Sequence, residues 1–334
     1  MTTFARNLAP LLSPRTPFAR LDRGDLAFYT AGFVPGALFF WLSTTRPALL
    51  PFWAPWDFSW SEYLSTALAL GWFCRGLARS PSGARPPAWR CVAFIVGLAA
   101  IYAVLQTHFD YMAQHMFFLN RVQHVVMHHL GPFLIALGGA GGTIVRGMPG
   151  WARKLALSRP AATALHIVQQ PMLAAFLFVG LFAFWLLPAI HFRAMLDPQL
   201  YAVMNWSMVL DGILFWSLVL DPRLAPPARI GFGARVALAL FVMFPQILIG
   251  AIITLSPRDL YPFYDLCGRL YPSIGALADQ HIGGIISWIP PAMMSVIAVL
   301  LILNALRVGD EAMEPDDDEA ATAMAALASR WTGR

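Results

Sequence analysis

The sequence predicts an all-α fold, a polytopic transmembrane helical bundle of about eight spans. Three observations predict it. Of 334 residues, 58% are hydrophobic and 12% charged, and the mean hydropathy is +0.60; soluble domains carry about 25% charged residues. The apolar residues form long continuous runs rather than alternating ten-residue strands. Lysines and arginines concentrate in alternate connections. Lipid offers open backbone groups no partner, so helices are the default for such runs.

The expected spans are 26–43, 62–78, 89–107, 122–145, 161–187, 200–220, 231–255 and 280–306. A bilayer core takes roughly 20 apolar residues as helix, and the first two runs are the shortest. Ahead of the first lies a tail, 1–25, with Arg6, Arg15, Arg20 and Arg23 but no apolar core, so it is read as retained and cytoplasmic. The transmembrane domain is 26–306. The remainder, 307–334, is acidic and then Ala-rich, a solvated cytoplasmic tail. Counted by connection, 18 Lys and Arg fall on one side of the bundle and 5 on the other. The positive-inside rule then places both termini in the cytoplasm. This topology accounts for the net charge of +5 without nucleic acid as a partner.

Seven of the eight histidines then fall in the outer half. His108 and His115 lie in an outer connection, His191 in the next, and His281 opens the last span. His124, His128 and His129 occupy the first turns of 122–145; only His166 is near the inner side and is read as structural. His124 and His128, four apart, share a helix face, with Met127 beside them. If 108–116 is helical, His108, Met112 and His115 form a second stripe next to Met116. Imidazole suits copper, zinc and iron, and thioether selects copper(I). For His108, His191 and His129 taken singly, packing is the leading explanation.

Pro132 cannot donate to the carbonyl of His128, so a kink with a free acceptor is expected there. The Gly-Gly-Ala-Gly-Gly run at 138–142 permits close packing deeper in the membrane. Asp211 lies mid-span, with Asn205 and Met208 on its side of the helix. Asp279 and Gln280 open the last span, where Asp279 could serve as an N-cap. Pro290 and Pro291 should kink that span. Cys74, Cys91 and Cys267 stand too far apart for a C-x-x-C site. H-E-x-x-H, G-x-S-x-G and P-loop motifs are absent.

Four segments, in order, resemble the CtaG family of polytopic cytochrome c oxidase assembly factors, over about 50–305. They are "PFWAPWDFSWSEYLSTALALGWFCRGL", "FFLNRVQHVVMHHLGPFLIALGG", "NWSMVLDGILFWSLVLDP" and "DQHIGGIISWIPP". Gln123 and His124 fit the family's Q-H, Asp279 and Gln280 its D-Q, and Gly212, Phe215 and Trp216 its third segment. The resemblance implies a seven-span core, here with one extra N-terminal span, in the bacterial cytoplasmic membrane. It implies a non-enzymatic role in oxidase maturation, with copper as cargo. The partners it implies are oxidase subunits and other copper chaperones. Two family histidines are replaced, by Asn120 and Asn205, which shifts any metal centre onto the remaining donors. The expected copper(I) ligands are His124 and His128, with His115 and His129 as substitutes. Met127 and Met116 would be softer donors, and Asp279 and His281 would close the site from the last helix. A bis-histidine haem protein, a copper transporter and a metal-free scaffold for oxidase subunits are the rival readings.

Overall fold

A computed structural model describes residues 23–311, apart from 224, 226 and 227. The tail residues 1–22 and 312–334 lie outside the described residues. All regular structure among the described residues is helical. In chain order the helices are α1 (Arg23–Thr45), α2 (Trp60–Ala78), α3 (Ala88–Gln106), α4 (His108–His115) and α5 (Phe117–His124). A π-helical turn, Val125–Leu130, joins α5 to α6 (Gly131–Gly138). There follow α7 (Gly141–Gly147), α8 (Gly150–Ala156), α9 (Arg159–Val168), α10 (Pro171–Leu186) and α11 (Pro188–Leu196). The last are α12 (Pro198–Val219), α13 (Phe232–Leu255), α14 (Phe263–Cys267) and α15 (Ala276–Glu311).

The helix starts of the second half are written locally. Helices α9 to α12 each open with proline in the first turn, where its missing N–H costs nothing. Ser158, Gln170 and Asp197 cap three of them, their side chains accepting from Ala161, Leu173 and Gln199 backbone N–H groups.

Five helices are long and apolar enough to cross a membrane: Asp25–Thr45, Ala88–Gln106, Pro198–Val219, Phe232–Leu255 and Ala276–Val308. Two bent pairs qualify when each is taken together, raising the number to seven. The sequence suggested eight. The difference is α2, which carries Glu62 in its first turn and Arg75 in its last. It is tied to α1 by an Asp25–Arg75 ion pair and by the Tyr63 hydroxyl donating to the Gly32 carbonyl at 2.9 Å. Large apolar side chains such as Phe176, Phe244, Leu248 and Leu255 point outward, as lipid requires and water would penalise.

Neither of the two bends was expected where it falls. Residues Phe117–Gly138 and α7 meet at 74°, and α9 and α10 at 70°. The first bend falls at Gly139, in the left-handed region at φ 59°. Before Pro132 the helix widens into the π-turn, and the Gly131 N–H reaches back five residues to the Val126 carbonyl. The glycine run therefore divides its work. Gly138 packs on the α3 backbone at Arg90, Gly139 turns the chain, and Gly141 and Gly142 meet nothing. The last span runs through Pro290 and Pro291 as one helix.

Close backbone approach assembles the rest. Helix α7 packs on α2 through Gly147 against the Trp72 carbonyl and Gly76 against that of Thr143. Helices α13 and α15 form the most extensive pair, with Gly250 under Trp288 and Gly284 against Thr254. Gly212 of α12 lies on the His128 carbonyl, where an added Cβ would stand 2.3 Å from the oxygen. Gly212→Ala should therefore destabilise the protein by about 2 kcal/mol. Gly141→Ala, in open space, should be neutral or slightly stabilising. Thermal unfolding of both variants in detergent checks the contrast.

Candidate functional site

The expected cluster straddles the π-turn. His124, His128 and His129 are all buried, at 3%, 0% and 1% exposure. The His128 Nε2 lies 3.2 Å from Asp211 Oδ2 on α12, an arrangement that puts the proton on Nε2. Its Nδ1 is then a lone pair without a partner. The ring stacks on Phe178 at 4.2 Å between centroids, which fixes its plane. A carboxylate behind one nitrogen and a free second nitrogen is how metal-ligating histidines are oriented. His124, one turn earlier, has no partner at either ring nitrogen.

His129 differs. The Gln246 side-chain amide lies 3.2 Å from its Nε2 and donates to it, which leaves the proton on Nδ1 and no free lone pair. Met127, Met204 and Met208 are fully buried in one core cluster with Phe117, Phe182 and Trp185. Met116 is fully buried as well, in the extended residue between α4 and α5. The sequence placed Met208 on the Asp211 side of α12 but did not mark the α12 thioethers as donors.

Other expected ligands have structural partners. Asp279 does cap a helix, but not its own: it accepts from the Phe117 and Phe118 backbone N–H groups at 3.0 and 2.7 Å. It thus caps the N-terminus of α5 and also pairs with Arg269. Half-buried His281 meets the Ser256 carbonyl at 3.3 Å. His115 meets the Tyr111 carbonyl at 2.8 Å. His108 packs on Trp56 at 4.1 Å. His191 is buried between the Trp185 carbonyl and the Tyr264 hydroxyl. Burial, with Arg121 nearby, pushes its pKa down to about 3, so it stays neutral. Among the described residues no three His, Cys, Asp or Glu side chains converge on one metal position.

Sequence reading missed Asp110. Its Oδ1 accepts from Gln123 at 2.6 Å and Tyr201 at 2.7 Å, and its Oδ2 from Gln114 at 2.8 Å. These bonds tie α4, α5 and α12 together beside a cavity of about 220 Å³ lined by Trp56, Asp57 and Tyr111. Burial pushes the Asp110 pKa up to about 6 despite the three donors. The available signal was Gln123, singled out for its neighbour His124 and not for what it bonds.

Comparison with known proteins adds a family. The family model described as cytochrome c oxidase caa3 assembly factor (CtaG) matches residues 70–307. It begins inside α2, so α1 lies outside it. An uncharacterised protein of Mycobacterium leprae is 26% identical over 280 residues, which span 77% of this chain and 40% of that protein. An uncharacterised protein of Mycobacterium bovis is 24% identical over 257 residues, spanning 72% and 36%, and one of Mycobacterium tuberculosis matches equally. The chain spans about two-fifths of the length of these curated relatives. No solved structure matches.

The Asp110 geometry makes a pH prediction. A carboxyl whose folded pKa lies above its unfolded value binds protons more tightly when folded. Its charged form therefore weakens the fold as pH rises from about 4 through 6. Stability should fall by about 2 kcal/mol over that window, and Asp110→Asn should flatten the profile. Thermal unfolding against pH for the two proteins checks it.

Proposed function

The chain belongs to the family of cytochrome c oxidase caa3 assembly factors, and on that premise we propose that it handles copper(I) for the oxidase at the π-turn. In this reading the protein sits in the bacterial cytoplasmic membrane with both termini inside. The histidine cluster lies toward the outer face, and oxidase subunits receive the metal. Other copper chaperones would supply it. The protein binds and releases cargo and catalyses no turnover.

One observation carries the reading. His128 is held by Asp211 through Nε2 while its Nδ1 has no partner, and His124 lies one turn away with both nitrogens free. The donor set fits a soft monovalent ion. Two imidazoles and the buried thioethers of Met127, Met204 and Met208 supply neutral ligands of the type copper(I) takes. A structural zinc centre needs four closed ligands, and no such group is present among the described residues. Few and neutral ligands also suit a metal that must leave again. Asp279 and His281 have a different task here: the carboxylate holds α5 in place and so sets the height of His124.

Purified protein in detergent, reduced and loaded with copper(I), tests the assignment. Wild type should retain about one copper(I) per chain, and His124→Ala/His128→Ala should retain none. Equal copper in both, or none in wild type, would contradict it. Asp211→Asn should keep the stoichiometry but weaken affinity about 10- to 100-fold, measured by competition with a copper(I) chelator. A deletion strain complemented by the double variant should assemble oxidase polypeptides that lack copper.

A further inference from the structure

Arg121 stands on α5 with its side chain inside the bundle, 1% exposed. It is a cation in the middle of the protein, and none of the ion pairs among the described residues includes it. Its Nη2 donates to the side-chain oxygen of Asn120. Its Nε and Nη1 donate to nothing. Its stem rests on Gly283, and its guanidinium lies over the Phe117 ring, 5.1 Å from the centroid. Asp279, which holds the start of the same helix, is already occupied by Arg269 and by the two amides of α5. A guanidinium does not lose its proton, so neutralisation by deprotonation is closed to it. Leaving such a charge buried and unpaired is strongly unfavourable. A water could take one N–H but would not compensate the charge.

One turn further on, His124 adds a second orphan. Both its ring nitrogens are buried without partners, and a neutral imidazole always has one N–H to place. Arg121 and His124, three residues apart, share a face of the helix. Two buried donors side by side, one of them charged, describe a receptor for an anion.

We propose that Arg121 and His124 bind a small monovalent inorganic anion of halide size inside the outer half of the bundle. The anion accepts from the orphaned Nε–H or Nη1–H of Arg121 and from one nitrogen of His124. The other nitrogen of His124 keeps its lone pair. A consequence, which rests on the copper reading above, is that the anion makes the histidine fit for a cation. It supplies the acceptor that a ligating imidazole needs behind it, and it cancels a like charge one turn away. Binding of the anion itself rests on Arg121 and needs no copper.

Metal-free protein in detergent tests it, with thermal unfolding followed in sodium gluconate and in sodium bromide at equal ionic strength. Bromide should raise the unfolding temperature of wild type saturably, by about 5 °C at concentrations well above its dissociation constant. Arg121→Met should show no bromide response, because the charge is gone and the stem is kept. Equal unfolding temperatures of wild type in the two salts, or a bromide response that survives in Arg121→Met, would overturn the proposal. Should Arg121→Met not fold, wild-type crystals soaked in bromide and measured at the bromine edge decide. An anomalous peak within hydrogen-bond reach of Arg121 supports the site, and its absence at saturating bromide overturns it. Because copper is left out, this outcome is independent of the copper assignment. The copper consequence is tested separately, by copper(I) affinity in gluconate against bromide, which should differ about tenfold or more in favour of bromide.

Discussion

The carbonyl of His128 organises the centre of this protein. Pro132 has no N–H to offer it, and in a membrane a freed backbone acceptor must be housed. The chain responds by widening a turn into π geometry and pressing the carbonyl onto Gly212 of α12. Only glycine leaves room for that contact, through which a Cα–H can meet the oxygen. The consequence reaches the side chains. With α12 this close, Asp211, one residue before Gly212, lies within reach of the His128 ring. The backbone defect and the oriented histidine are thus one feature.

Buried charge is treated in three ways around this centre. Asp279 is fully compensated, by two amides and an arginine, and holds α5 at its start. Asp110 is enclosed by three neutral donors and pushed toward protonation. Asp211 has one imidazole. The graded compensation runs from a fixed joint, to a polar seam beside the Trp56 cleft, to the His128 pair, where the compensation is least. The same residue type thus stands at three degrees of satisfaction within one bundle.

Much of this was written in the sequence. Apolar runs and the alternation of basic connections gave the helical bundle, and the Q-H, D-Q and G-x-x-F-W segments pointed to the family. The spacing of His124 and His128 gave a shared face, and Pro132 gave a freed acceptor. What the sequence could not show depends on contacts between distant residues. Asp279 reads as a cap for its own helix, because nothing local says that α5, more than 150 residues earlier, begins beside it. His129 and His128 are adjacent and alike on paper, and only Gln246 and Asp211, from other helices, make one a donor and the other an acceptor. The bends near Gly139 and Gln170 were hidden because hydropathy runs through both without a pause. Helix α2 was legible as a helix, while its Glu62 and Arg75 blur whether it crosses the membrane.

Assembly of an oxidase needs a metal held in the right redox state and then released. In the copper reading proposed above, the two imidazoles of His124 and His128 and the buried thioethers beside them would hold such a metal. X-ray absorption at the copper edge of the reduced, copper-loaded protein tests this most directly. The account predicts a two- or three-coordinate copper(I) with imidazole nitrogen neighbours and at least one sulfur, and loss of the imidazole signature in His124→Ala/His128→Ala. A four-coordinate oxygen-and-nitrogen shell, or a spectrum unchanged in that variant, would contradict it.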